Sequence, residues 1–321
     1  MNNYAPIVLF TYNRPFHTQQ VLNSLAQNGE AKHSILYVFC DGAKTSAVDE
    51  DFLKIEAVRA LVVAENRFKK VIIKIQPENK GLANSIIEGV TEVLNNHGKV
   101  IVLEDDLVIS PVFLAYMNDS LDRYEKNLKV GQIGACNFFA CGKKYPNYFF
   151  VPLPDCWGWA TWKDRWQCFN PNVDDLIKQL EEDEAKRDVF NAYGAYDFMN
   201  MLNLQKQGKV DSWAIRWQAV CVLKGWLTLY PNLSMTNHKE SNEATHANVN
   251  ITPPMNFSSS NFYTIEVEEI NKVITAFKLG YSGKGNYHGK EKKELVIKKI
   301  KRIIKLFIPP IIFVIWEKII K

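Results

Sequence analysis

The sequence predicts an α/β fold with a mostly parallel central sheet flanked by helices, an aromatic-rich second region and a basic amphipathic C-terminal tail. Three observations carry this. Short runs of Val, Ile and Leu alternate with helix-period segments through the first ~140 residues. Polar or charged residues follow several of those runs directly. Seven of the eight tryptophans fall between Trp157 and Trp226, where the alternation gives way to aromatic-rich sequence. With 321 residues, 47% of them apolar, the chain is long enough for one large domain or two smaller ones.

In order, strands are expected at 7–11, 35–40, 71–76, 100–103 and 132–136, and helices at 18–28, 47–68, 82–95 and 111–127. Strand–helix–strand alternation of this kind builds crossovers between parallel strands. Ligands bind such sheets at the carboxyl ends of the strands. Asn13-Arg14, Asp41-Gly42 and Glu104-Asp105-Asp106 all fall at those ends, so one rim gathers three polar groups. Most of the tryptophans beyond 138 are expected in the core. Trp159 and Trp162 are candidates for stacking on a sugar acceptor, because aromatic faces cover the apolar side of a pyranose. The polar stretch 234–261 reads as a long loop over the site.

Glu104-Asp105-Asp106 is the most informative stretch. Three adjacent carboxylates closing a buried strand are costly to desolvate unless a cation or a network of donors compensates them. A divalent ion, Mn2+ or Mg2+, held by oxygen ligands and completed by substrate phosphates is the compensation these residue types suit. Capping of the next helix, expected to open at Ser110-Pro111, is the competing account and is weaker for Asp105 and Asp106. No G-x-x-x-x-G-K-[ST] or G-x-G-x-x-G opens a helix, so neither a P-loop nor a dinucleotide fingerprint holds the phosphates.

Six ordered stretches, Phe10-Thr-Tyr-Asn-Arg-Pro15, Phe39-Cys-Asp-Gly42, Asn79-Lys-Gly-Leu-Ala-Asn84, Glu104-Asp-Asp-Leu-Val-Ile-Ser-Pro111, Gly158-Trp-Ala-Thr-Trp162 and Ala244-Thr-His246, thread most of residues 5–250. Together they resemble the GT-A glycosyltransferases, especially the branch of the N-acetylglucosaminyltransferases of protein glycosylation and bacterial relatives that build surface polysaccharides. The resemblance implies a GT-A sheet, a nucleotide-sugar donor, usually a UDP-sugar, and transfer with inversion to a hydroxyl of a glycan or glycolipid. It divides the chain into a nucleotide-sugar-binding half, 1–138, an acceptor and catalytic half, 139–265, and an extension, 266–321.

Each role it implies has a chemical reason. Uracil offers an N–H beside two carbonyl acceptors, a demand that Asp41 and Arg14 fit, with Thr11 and Asn13 on the same donor-binding edge. Alone, Arg14 reads as a surface residue before a helix and Asp41 as a turn acid. Asp106, the last acid of an Asp-x-Asp-like motif, is implied as the metal ligand, with Glu104 and Asp105 on the ribose and sugar hydroxyls. His246 matches a loop histidine that reaches metal or diphosphate in such enzymes, with His238 its competitor. Lys80 and Asn84 open a helix that suits an anion or sugar hydroxyls, the alternative being a cap by Asn79 with Lys80 in water. The general base of relatives follows a tryptophan, yet Ala214 stands there in Asp211-Ser-Trp-Ala-Ile-Arg-Trp217. Asp211 is the nearest substitute and Asp155 the second, although Asp211 also reads as a helix N-cap.

Two other functions compete. A catalytically inactive sugar-nucleotide-binding or membrane scaffold is kept open by Ala214. A sugar-1-phosphate nucleotidyltransferase is disfavoured because the loop after the first strand, Thr11 to Pro15, lacks glycine. Residues 290–321 carry ten Lys/Arg against three Glu, which leaves the rest of a +4 chain negative and argues against nucleic acid as a partner. Val296, Ile300, Ile303, Ile304 and Phe307 share one helical face opposite Lys298, Lys299, Lys301, Arg302 and Lys305. This suits an anionic membrane surface, and therefore a cytoplasmic protein peripheral to the inner face of the cell membrane. The six cysteines form no C-x-x-C pair and are expected as reduced thiols. No secretory signal is recognised at the start of the sequence.

Overall fold

A computed structural model describes residues 4–137, 139, 142–238 and 264–282. The strands are β1 (Ile7–Thr11), β2 (Ile35–Cys40), β3 (Lys70–Ile75), β4 (Lys99–Glu104), β5 (Leu107–Ile109), β6 (Val130–Gly134), β7 (Tyr148–Val151), β8 (Trp159–Trp162), β9 (Leu227–Pro231) and β10 (Thr236–His238). Eight form one sheet in the order β3-β2-β1-β4-β8-β6-β9-β7, while β5 and β10 pair apart from it. β3, β2, β1 and β4 are parallel, β8 runs against both of its neighbours, β6 and β9 are parallel, and β7 is antiparallel to β9. The fold is the α/β class expected, a mostly parallel sheet flanked by helices.

The described α-helices are α1 (Pro15–Ala26), α2 (Asp49–Val63), α3 (Leu82–His97), α4 (Phe113–Tyr124), α5 (Lys163–Trp166), α6 (Val173–Glu182), α7 (Glu184–Phe190), α8 (Phe198–Lys206), α9 (Trp213–Leu223) and α10 (Asn271–Tyr281). Successive side chains of a strand face opposite ways, and β1 shows both sides buried. Ile7 and Leu9 pack with Val21 and Leu22 of α1 and Leu114 of α4. Val8 and Phe10 pack with Ile86 and Val90 of α3 and, further along the same core, Trp213 and Trp217 of α9. Burial on both faces explains why β1, β2 and β4 read as continuous apolar runs rather than as alternation. Gly89 lets α3 approach the sheet, since a Cβ there would lie 2.8 Å from the Phe10 ring.

Register levels the strand ends. Thr11 pairs with Cys40 and Phe10 with Glu104, so the residues that follow β1, β2 and β4 leave the sheet on one edge. Two differences from expectation bear on the site. α1 begins at Pro15, whose fixed φ and missing N–H suit the first helical turn, so Arg14 stands at its N-cap. Leu107–Ile109 forms β5, paired with β10, and α4 opens only at Phe113. Glu104 therefore closes β4, and Asp105 and Asp106 sit in a two-residue turn pinned between β4 and β5. Among the described residues no helix is long and apolar enough to cross a membrane. His246, most of the 234–261 loop and the 290–321 tail lie outside the described residues.

Candidate active site

The carboxylates converge on Arg14. Its Nη2 lies 2.6 Å from Asp105 Oδ1 and its Nη1 lies 3.1 Å from Asp106 Oδ2, so one guanidinium spans two adjacent acids. The Arg14 side chain is 44% exposed, against 2% for Asp105 and 12% for Asp106. Burial opposes the Arg14 charge, but Asp105 and Asp106 outweigh it and raise its pKa. Burial, then Asp106, pushes the Glu104 carboxyl up to about 8, against the pull of Arg14 and a hydrogen bond from the Trp213 indole. Asp105 is pushed up to about 7 by burial, with Arg14 opposing and Asp106 adding. Burial first, and then crowding by neighbouring carboxylates, makes Glu104 and Asp105 hold on to their protons, with Arg14 opposing.

These residue types fit a hard divalent ion. Asp105 Oδ2 is buried without a hydrogen-bond partner, and the three carboxylates, once ionised, would outnumber the Arg14 guanidinium by two charges. No three His, Cys, Asp or Glu side chains form a ready cage among the described residues. An ion here would hence take much of its coordination from water or a bound ligand, as small hard cations commonly do.

Asp41 does different work from that expected. Its Oδ1 accepts from the Gly42 and Lys80 N–H groups at 2.9 and 2.8 Å, and its Oδ2 from Asn79 Nδ2 and the Gly81 N–H at 2.9 and 3.1 Å. A carboxylate has about four acceptor sites, and all four are taken. Asp41 ties the loop after β3 to the end of β2 and does not pair with Arg14. Gly42 makes that junction possible, because a Cβ there would lie 2.4 Å from the Glu78 carbonyl carbon.

Neighbouring residues are also engaged. Asn13 donates to Asp51 of α2 at 3.0 Å, and Thr11 is buried with its hydroxyl 3.4 Å from the Phe39 carbonyl. Lys80 Nζ pairs with Glu88 of α3 at the solvent-exposed surface, and Asn84 donates to the Lys80 carbonyl at 3.0 Å.

An aromatic cleft of about 1060 Å³, counting space open at its mouth, adjoins the carboxylates across Trp213. Trp157, Tyr196, Phe198, Trp213, Tyr230 and Phe277 are among its walls, and Ala214 and Asp155 line it too. The Asp155 carboxylate accepts from the N–H groups of Ala135 and Cys136 through Oδ2 at 2.9 and 2.7 Å, and from Trp157 through Oδ1 at 2.9 Å. Burial pushes it up to about 6 despite those donors. Asp155 thus locks the end of β6 to the turn before β8.

Three expectations are corrected here. Asp211 does not line the cleft; its carboxylate is 55% exposed and pairs with Arg216 at 2.9 Å. The N-cap of α9 is Ser212, whose hydroxyl accepts from the Ile215 N–H at 3.3 Å. Trp159 and Trp162 offer no face to a sugar, being 1% and 2% exposed. Trp159 stacks on Trp213 at 5.1 Å, and Trp162 lies under Arg165 with its indole N–H on the Leu121 carbonyl. The tryptophans that line the cleft are Trp157, Trp213 and Trp217. The sequence signal for Trp213 was its place directly before Ala214, in the segment where relatives carry their base.

No known protein family matches the chain, and no curated protein does. Among solved structures, TarS of S. aureus is 18% identical over 38% of this chain and 20% of its own, with a TM-score of 0.28. A mannosyltransferase from Pyrobaculum calidifontis, solved with GDP-Man and Mn2+, is 13% identical over 50% of this chain and 46% of its own, at 0.33. A UDP-glucose pyrophosphorylase, solved with UDP-glucose, is 9% identical over 72% of this chain and 91% of its own, at 0.34. The chain spans about a fifth of the first and under half of the second. Likeness this loose says nothing of what the chain binds.

Proposed function

We propose that the chain is a metal-dependent glycosyltransferase that moves a sugar from a nucleotide diphosphate donor, a UDP-sugar, to a hydroxyl of a glycan or lipid-linked glycan. The observation that carries this reading is the convergence of Arg14 with Glu104, Asp105 and Asp106 on the carboxyl rim of parallel strands, beside an aromatic cleft. In it, residues 1–138 hold the donor and 139–265 the acceptor. Asp106 and its neighbouring acids would hold Mn2+ or Mg2+, which when bound supplies charge neutralisation for the leaving diphosphate. Arg14 adds a planar fork that suits phosphate oxygens. Asp41 keeps 79–81 in place along the donor edge, with Thr11, Asn13 and Asn84 behind it. Glu104, anchored by Trp213, lies between donor and cleft.

The cleft favours an acceptor with an apolar portion. Several of its polar groups are spent on the protein itself: Asp155 on backbone N–H groups, Ser212 on its helix, Gln218 on the Phe190 carbonyl and Tyr230 on the Leu153 carbonyl. What remains is mostly ring surface, suited to a lipid carrier or an aromatic aglycone. A basic tail at 290–321 would hold such an enzyme on an anionic inner membrane face, as in surface polysaccharide assembly. Flotation with anionic vesicles should therefore weaken when the chain is cut near Lys290, and undiminished binding would remove that part of the reading.

A second reading, a binding protein without turnover, is favoured by one observation. Of the acids weighed as base, Asp155 has its oxygens occupied by backbone donors and Asp211 lies outside the cleft. The test is UDP release from a panel of UDP-sugars with Mn2+, with and without alkyl glycosides as acceptors. Release that is lost in Asp106→Ala supports the transferase. Binding of UDP without release, whatever the acceptor, supports the binder.

A further inference from the structure

The salt bridges at the rim raise a question about the order in which cations occupy it. Arg14 grips Asp105 and Asp106 at 2.6 and 3.1 Å, the same acids that offer themselves to a metal, and a guanidinium and a divalent ion repel each other across so short a span. The backbone of Arg14 is fixed, since its carbonyl accepts from both the N–H and the hydroxyl of Thr18 at 2.9 and 3.0 Å and Pro15 follows it. Its side chain is the most exposed member of the cluster. Asp105 is almost wholly buried, and its Oδ2 has no hydrogen-bond partner, so the guanidinium leaves part of the charge uncompensated.

We propose that Arg14 is a resident counter-cation, which partly offsets the charge of Asp105 and Asp106 while the rim is metal-free and must swing away before a divalent ion can occupy it. Released, the guanidinium keeps its five donors and its charge, and with Asp105 and Asp106 given over to the ion a diphosphate becomes its natural partner. Metal and diphosphate then help each other onto the protein, because each favours the released arginine. A metal alone binds weakly; with UDP it binds well. This rests on the metal-dependent reading above and adds a positioning role for Arg14 that the metal site itself does not require.

The test measures Mn2+ binding by electron paramagnetic resonance on wild type, Arg14→Gln and Arg14→Lys, each with and without UDP, with no turnover involved. Arg14→Gln is expected to bind Mn2+ alone at least tenfold more tightly than wild type. Arg14→Lys, which keeps the charge, should stay near wild type. UDP should tighten Mn2+ binding strongly in wild type and much less in Arg14→Gln. Adding Asp106→Ala to Arg14→Gln should abolish the gain, and circular dichroism melts establish that each variant is folded.

Equal or weaker Mn2+ binding by a folded Arg14→Gln, while wild type still binds Mn2+ with UDP, overturns the counter-cation role and leaves the metal site standing. Retention of the gain in the double variant overturns it as well, since the ion then sits elsewhere. Should no variant bind Mn2+ even with UDP, the metal-dependent reading falls and takes this inference with it.

Discussion

Lowering the pH from 8 to 6 in the presence of a chelator should stabilise this protein through the rim. Glu104 and Asp105 are held up to about 8 and about 7, well above the ~4.3 and ~3.9 of these acids in an unfolded chain. An acid with a raised native pKa binds its proton more tightly when folded. Its stabilising contribution is full below the unfolded value and is lost as pH rises through the native one. Between pH 8 and 6 the native rim therefore takes up protons that the unfolded chain does not. The two acids share Arg14 and Asp106 and titrate together. One to two protons over this interval stabilise by about 1 to 4 kcal/mol, or a few degrees in Tm.

His97 works the other way, because burial lowers its pKa and its contribution is lost as pH falls. The assay is accordingly a comparison: urea unfolding of wild type and Glu104→Gln in EDTA at several pH values. The difference between them should grow across the window. Identical profiles, or a wild type that loses more stability than the variant on acidification, would refute the reasoning. Saturating Mn2+ should flatten the wild-type profile, since the ion holds the acids ionised.

Three substitutions probe the remaining structure. Asp41→Ala removes four accepted hydrogen bonds and should cost about 2 to 4 kcal/mol in urea unfolding, with faster amide exchange at Lys80 and Gly81. Gly42→Ala drives a Cβ against the Glu78 backbone and should destabilise by about 2 kcal/mol or more; a neutral result would show that the loop moves aside. Asp211→Ala takes the carboxylate partner from Arg216, which is buried and keeps its bond to the Ser212 carbonyl, so it should cost about 1 to 3 kcal/mol and leave UDP release near the wild-type rate. A hundredfold loss of release would restore Asp211 as the base.

β1, β2 and β4 were legible because both of their faces are buried, which writes them as unbroken apolar runs such as Ile7–Thr11 and Val100-Ile101-Val102-Leu103, and β3, a half-exposed edge strand, was legible from its Val71-Ile72-Ile73 run. The rim followed from them, since parallel strands place Arg14 and the three acids on one edge. β5 was hidden: three residues after a cluster of acids carry too little pattern, and its partner β10 lies more than a hundred residues away. β7 and β8 were read as irregular because Tyr148–Val151 and Trp159–Trp162 are short, aromatic and buried on both faces, so neither period stands out.

The tryptophans show what spacing leaves unsaid. Trp157 and Trp159 are two residues apart, yet one reaches the cleft and the other is sealed in the core. Which is which depends on packing against α9, far along the chain. The same holds for Asp41, whose position on the rim could be read from the sequence although its four partners could not. Three of those contacts come from Asn79, Lys80 and Gly81, brought up by the crossover through α2 and β3.

Calorimetric titration of UDP and GDP into wild type and Asp106→Ala, with and without Mn2+, tests the central claim most directly. The account predicts tight UDP binding that needs Mn2+, is lost in Asp106→Ala and is weak or absent for GDP. Binding of UDP that is indifferent to Mn2+ and to Asp106, or no binding of either nucleotide, would contradict it.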